Sequence, residues 1–331
     1  MAYACRILAD SISPAGHRLT SFEVTFPRIV LAEFNTHCML SRNSASSRAI
    51  PVAKRIDAVE TDPFVPESFG RNQKGMQPGE PLDSKDAAAA QLDWLDARDE
   101  CILRASSLAS RGVHKQYANR LLEPFSWHTA VITATEWDNF EHLRCNPMAQ
   151  GEFQKAAQLM MAARTNSEPR ALNCNEWHLP YVEPDAEVFT LNSVGLDPWK
   201  VSVGRCARVS YLTQNGVRDP AEDVALADRL LENAHMSPFE HVARPMTDTE
   251  LAITRSFDVA VSDGPILRYG CPPSIPAPRV CGAACDDPSK NHISFVRGPL
   301  HYSGKLNGWI SRRAFVHGEH DILGYRSQVH G

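Results

Sequence analysis

The sequence predicts a chain of mixed helix and strand, on three observations. Apolar and polar residues alternate over residues 21–26, with Phe22, Val24 and Phe26 on one side and Glu23 and Thr25 on the other, and residues 127–133 read as a second strand. Helical spacing of apolar residues marks longer stretches that begin near residues 84, 147 and 219. Proline- and glycine-rich segments separate these stretches, the longest being residues 62–83.

Taken in order, residues 5–8 form a short strand, followed by a turn at residues 14–16. After the strand at 21–26, Pro27 can open a helix, where its missing N–H costs nothing, and Ile29, Val30, Phe34 and His37 then share a helical face. A polar run follows: His37, Ser41, Arg42, Asn43, Ser44, Ser46, Ser47 and Arg48. It holds almost no aliphatic bulk, so it is either a solvated serine-rich loop or an anion site. Its hydroxyls, amide, imidazole and guanidiniums can donate many hydrogen bonds to a phosphate, and Arg48 can do so bidentately.

The segment 62–83 reads as a long loop, either a lid or a plain surface loop. Ser84 caps a helix to about residue 111, with Ala88, Leu92, Leu95 and Ile102 on one face and Gly112 as the stop. A helix to Leu122, a break at Pro124, the strand 127–133 and a short helix 135–144 come next. The helix from 147 buries Phe153, Ala157, Met160 and Met161. Residues 167–200 are irregular, broken at Trp177, Pro180, Pro184 and Pro198. The helix after residue 218 has a complete start signal, with Asp219 as N-cap, Pro220 at the first position and Glu222 closing a capping box; Val224, Ala227, Leu231 and Ala234 form its buried face.

Composition bounds the function. The chain has 331 residues, is 43% hydrophobic and 22% charged, and carries a formal charge of −5, which gives no general electrostatic case for nucleic acid. No apolar run approaches the ~18 residues of a membrane span, and the first residues lack the apolar core of a signal peptide. The nine scattered cysteines fit free thiols in a reducing cytoplasm.

The polar run resembles the signature R-H-R-x-x-S-x-N-x-x-S-x-R of the flavin-dependent thymidylate synthases, with His37, Ser41, Asn43, Ser46 and Arg48 in register and Pro27 at the family's spacing. Thr36 and Cys38 stand where that signature has arginines, and Ser44 where it often has glutamate. R-L-L-E-P, which contains Arg120, resembles the family's R-x-x-L-P. N-F-E-H-L-R-C-N-P-M-A-Q-G-E resembles its N-F-x-x-L-R segment, with Asn139, Arg144, Ala149, Gln150 and Glu152 in register. A-R-V-S-Y and H-M-S-P-F-E-H, the latter at residues 235–241, are the strongest local matches. Pro238 lies between His235 and His241, so these two histidines cannot share a helix as zinc ligands do, and no metal is expected. In the family A-R-V-S-Y and H-x-S-P-F-E-H come before the arginine-rich signature; here they come after it. The chain is therefore expected to be circularly permuted, a single catalytic unit in which residues 1–165 match the later part of the family sequence and 203–245 its start, with 246–331 unassigned.

The resemblance implies an α+β fold, a mixed sheet flanked by long helices, and a homotetramer. It implies FAD as cofactor, methylenetetrahydrofolate and NADPH as cosubstrates, and conversion of dUMP to dTMP. Arg144 and Ser46 are then the catalytic candidates. Glu33, Ser44, Ser46, Arg48, Arg120 and Arg144 would bind the nucleotide, and His37, Ser41, Asn43, Asn139, Ser210, His235, Ser237 and Glu240 the flavin. Two flavin-lining positions of the family map to Thr133 and Thr135. Taken alone, Arg120 and Arg144 are equally readable as arginines compensating helix dipoles. Two alternatives stay open: the same chemistry on dCMP, giving a 5-methyl or 5-hydroxymethyl product, with Glu33 accepting from the exocyclic amine, and a nucleotide-binding relative that has lost the flavin. Near the C-terminus, Cys271, Cys281, Cys285 and His292 fit a proline-rich loop better than a zinc site, and Trp309, Arg312 and Arg313 fit a packing helix or a pocket equally.

Overall fold

The computed structural model describes residues 3–209, 219–252 and 306–316. Its centre is a five-stranded mixed sheet in the order β3-β4-β2-β1-β5. The strands are β1 (Ala4–Ile12), β2 (Arg18–Pro27), β3 (Ser41–Ser44), β4 (Trp127–Ala134) and β5 (Arg170–Ala171). All neighbours are antiparallel except β1 and β5, which run parallel. β1 and β2 form a hairpin, and its turn needs Gly16 at φ 85°, a conformation that glycine adopts without steric cost. In the centre Phe22 lies opposite Ile132 and Val24 opposite Ala130.

One face of this sheet meets α6 (Gly151–Thr165), whose Phe153, Ala156, Ala157, Met160 and Met161 are buried against Phe22, Val24 and Phe26. Phe34 of the one-turn helix α1 (Leu31–Phe34) completes that core by stacking on Phe26 and Phe153 at ring separations of 4.9 and 5.0 Å. Two helices, α2 (Val52–Thr61) and α3 (Ser84–Ser110), form a satellite cluster around Val59, Ala105, Leu122 and Phe125. After α4 (Lys115–Ala118) and α5 (Asp138–Arg144), the C-terminal part adds α7 (Ala186–Ser193), α8 (Pro198–Arg208) and α9 (Pro220–Glu232). A small antiparallel pair, β6 (Ala243–Pro245) with β7 (Trp309–Ser311), closes the described chain.

Several elements differ from their sequence reading. β1 runs to Ile12 because it pairs along its length with β2 and, at its end, with β5. Pro27 ends β2 in extended conformation (φ −61°, ψ 131°) and opens no helix; a tight helical turn at Arg28–Val30 intervenes. The polar run contains a strand, since Ser41–Ser44 takes up the free edge of β4. Asp83 caps α3 by accepting from the Lys85 and Asp86 amides, the role given to Ser84. Leu92 lies outside the buried face of α3, at 62% exposure, and the inner face runs through Trp94, Cys101, Ile102 and Ala105. The short helix starts at Asp138, three residues later than its reading, because Thr133 and Ala134 still belong to the sheet. Pro198 begins α8 at its first turn, where a missing N–H is harmless.

α9 is capped by Asp219 as its sequence requires, but its buried residues are Asp223 and Ala227, while Leu231 and Ala234 are exposed. The cause is tertiary. Gly204 of α8 lies so close to α9 that an added Cβ would stand 2.3 Å from the Asp223 carbonyl oxygen. The fully buried Asp223 carboxylate pairs with Arg205 at 3.1 Å and also with Arg208. Trp309 belongs to β7 and is buried, whereas Arg312 and Arg313 lie in the helical turn after it. Ser210, Cys271, Cys281, Cys285 and His292 lie outside the described residues.

Candidate active site

Arg144 is the last residue of α5, and α6 packs beside it. Its Nε donates to His37 Nε2 at 2.7 Å, its Nη2 is 3.5 Å from Thr36 Oγ1, and its guanidinium lies over the Phe153 ring at 4.6 Å. The imidazole of His37 stands edge-on to Phe140 and Phe153. Arg42 Nη1 donates to the His37 carbonyl at 2.6 Å and so pins the turn from β3. Burial first, then the charges of Arg144 and Arg42, lower the His37 pKa to about 4. A neutral ring with a lone pair on Nε2 is what Arg144 needs as acceptor. His37, Asn139 and Arg144 line one cleft of about 390 Å³, with Met39 and Leu143 as its apolar parts.

Ser41 and Asn43 occupy β3, beside this cleft but turned to structural contacts. Ser41 is 2% exposed, and the Asn43 side-chain amide donates to the Cys206 carbonyl at 2.7 Å, tying β3 to α8. The tight helical turn Ser237–His241 packs on β3. The late S-P-F-E-H motif thus lies beside the early polar run. Within it Ser237 is half-buried, and Glu240 pairs with Arg313, while His235 just before it is exposed. Thr133 is fully buried and bridges Ser21 Oγ at 2.5 Å and His241 Nδ1 at 2.8 Å. Thr135 accepts from the Asn307 amide at 2.9 Å.

A second polar group forms around the turn after β3. Ser46 Oγ accepts from the Arg48 amide at 3.2 Å. The Asn119 side chain donates to the Ser47 and Ile50 carbonyls at 2.8 Å each, so the Ser46–Arg48 turn is stitched to the segment that carries Arg120. Ser47 Oγ donates to Glu123, which also pairs with Arg28 at 2.9 Å and with Arg120 at 3.4 Å. Arg48 and Arg120 are exposed. Ser44 is in β3 opposite Ala130, and Glu33 is in α1 with Oε2 buried and without a hydrogen bond. The structure therefore groups His37, Asn139 and Arg144 in one place and Ser46, Arg48 and Arg120 in another. Arg28, Arg42 and Glu123 organise these groups and had no role assigned from the sequence; Arg42 within the polar run and Glu123 within R-L-L-E-P were the visible hints. Among the described residues no cluster of His, Cys, Asp and Glu could hold a metal ion, and no helix is long and apolar enough to cross a membrane.

A family model described as thymidylate synthase complementing protein matches residues 7–169. That segment belongs to this family. The match takes in both polar groups and most of the sheet, with β5 outside it, and it places that segment with methyltransferases of the thymidylate synthase type. No curated protein sequence matches the chain. Among solved structures, a UMP/dUMP methylase from Streptomyces cacaoi bound with 5-Br UMP is similar at 15% identity and a TM-score of 0.42, over 50% of this chain and 89% of the other. The same methylase bound with 5-Br dUMP gives 15% and 0.40, over 50% and 90%. The early N-F-x-x-L-R segment and the polar run fall within the thymidylate synthase complementing protein match, and the S-P-F-E-H turn outside it.

Proposed function

We propose that the chain methylates C5 of a deoxypyrimidine monophosphate, dUMP to dTMP, with FAD as cofactor and methylenetetrahydrofolate and NADPH as cosubstrates. The observation that carries this reading is the Arg144–His37 pair, a guanidinium fixed over Phe153 at the wall of a cleft. Addition at C5 requires negative charge to build on the pyrimidine ring and its oxygens. A guanidinium already oriented there stabilises that charge without reorganising. His37 orients Arg144 by accepting its Nε–H, which leaves the remaining N–H groups for the ring. Ser46, Arg48 and Arg120 would hold the phosphate, with Ser44 close by; Ser46 was also a catalytic candidate, and its place in the turn suits phosphate binding.

The donor set fits a flavin ring at the cleft: Met39 and Leu143 offer apolar surface beside His37 and Asn139. FAD bound there would supply the redox and one-carbon transfer chemistry. Ser237, Glu240, His235 and Ser210 would extend the contact, and Ser41 and Asn43 would shape it from behind through β3. The permuted arrangement, with 203–245 supplying the start of the family sequence, is part of the same reading, as are a homotetramer and a cytoplasmic location. One observation favours dCMP as substrate: the buried Glu33 Oε2 has no donor, and an exocyclic amine would supply one. Incubating purified protein with methylenetetrahydrofolate, NADPH and either nucleotide decides between them. Turnover of dUMP supports the first reading, turnover of dCMP the second. A protein that neither absorbs near 450 nm nor takes up added FAD overturns both.

A further inference from the structure

Arg55 stands in α2 and is 7% exposed. Its Nη2 is buried without a hydrogen bond, and no carboxylate of the described residues lies within ion-pair distance of its guanidinium. Such a charge is costly in a folded protein unless something of opposite sign meets it. The surroundings deepen the imbalance. Arg28, the nearest other guanidinium, is taken up by Glu123 at 2.9 Å and by His128 Nδ1 at 2.8 Å. Since His128 accepts from Arg28, its imidazole is neutral and adds no charge. Two buried guanidiniums thus stand beside one carboxylate, and Glu123 is within ion-pair distance of Arg28 but not of Arg55.

Arg55 lines an open cavity of about 280 Å³ beside Ala45, Lys54, Ser126, Trp127 and Thr129. Trp127 Nε1 in the same wall is also buried without a partner. We propose that this cavity binds a carboxylate, held by Arg55 and by the indole N–H of Trp127. Two unmet donors match the two oxygens of a planar carboxylate, whose charge would give the Arg55 guanidinium the ion-pair partner it lacks. Lys54 and Arg55 are matched in the lining by Asp57 and Asp62, so no surplus of cations favours a dianion such as phosphate. None of the residues assigned to the nucleotide lines the cavity. The inference therefore stands apart from the proposed methylation.

The test uses the full chain, titrated with sodium acetate and sodium glutarate at fixed ionic strength against sodium chloride. The readouts are the Trp127 indole N–H resonance and the thermal midpoint. A saturable shift of that resonance with a rise in midpoint is expected, weakened at least tenfold in Arg55→Met. Without ligand, Arg55→Met should be as stable as the parent or more so, because it removes a buried guanidinium that has no ion-pair partner. A destabilised Arg55→Met overturns the proposal, since it would mean that the guanidinium already has a partner. Trp127→Phe keeps the charge and loses one donor, and should weaken the midpoint response to acetate; an unchanged response removes the indole from the site. Tighter binding of inorganic phosphate than of either carboxylate overturns the carboxylate assignment. Displacement of acetate by dUMP would make the cavity part of the nucleotide site and overturn its independence.

Discussion

Arg144 and His37 hold each other in one protonation state. Protonated His37 has no lone pair for Arg144, and two cations would meet over Phe153. Arg144→Ala should lower kcat by about 10²–10³ if the guanidinium acts as other preorganised donors do. Steady-state kinetics at saturating nucleotide check this, and a near-normal kcat would remove Arg144 from the chemistry. Arg48→Ala and Arg120→Ala should instead raise the nucleotide KM by about tenfold with kcat nearly unchanged, as expected for loss of a charge-assisted phosphate contact. Histidines also set the acid limb of stability. Burial above all lowers the pKa of His37 to about 4 and those of His128 and His178 to about 3. In the unfolded chain they titrate near the ordinary ~6.5. Between those values the unfolded state binds more protons, so stability is full above pH ~6.5 and falls as the pH drops toward ~3. Urea unfolding from pH 7 to pH 4 should show the loss, and His37→Gln should reduce its slope.

At the scale of elements, α8 and α9 meet backbone to backbone at Gly204, and Asp223 answers both Arg205 and Arg208 there. Gly204→Ala would push a methyl into the Asp223 carbonyl and should cost about 1–3 kcal/mol, read from the denaturation midpoint. A variant of unchanged stability would show that the two helices can slide apart freely. β3 is the other decisive element. Four polar residues with little apolar content become a strand because β4 offers an unpaired edge, and the Ser237–His241 turn then has a surface to pack on. Thr133 and His241 fasten that turn to the sheet at 2.8 Å.

For the whole molecule, α3 is the conspicuous feature. It has 27 residues, yet Ala105 is its one fully buried side chain, and Leu92 and Leu103 are 62% and 57% exposed. A helix that long with apolar residues outward suits contact with a second copy, in line with the homotetramer that the resemblance implies. Sedimentation equilibrium should give a mass several times that of one chain, and Leu92→Glu with Leu103→Glu should lower it. A monomer at micromolar concentration would leave that face of α3 to solvent and overturn this expectation.

The buried faces of α6 and β2 and the Asp219 cap of α9 were legible in the sequence because each rests on local periodicity or a local hydrogen bond. Motif spacing also drew attention to the polar run and to Arg144, which the structure brings together at His37. The length of β1, the strand within the polar run and the turned face of α9 were not legible, because each depends on a partner far away in the chain. The same holds for the organisation of both sites. No spacing predicts that Arg144 will meet His37, 107 positions away in the chain, or that Arg28, His128 and Glu123 will gather beside Arg55. Periodicity records which side of an element is buried. Which charge meets which is decided only when the elements pack, since Coulombic and hydrogen-bond partners are chosen by distance in space.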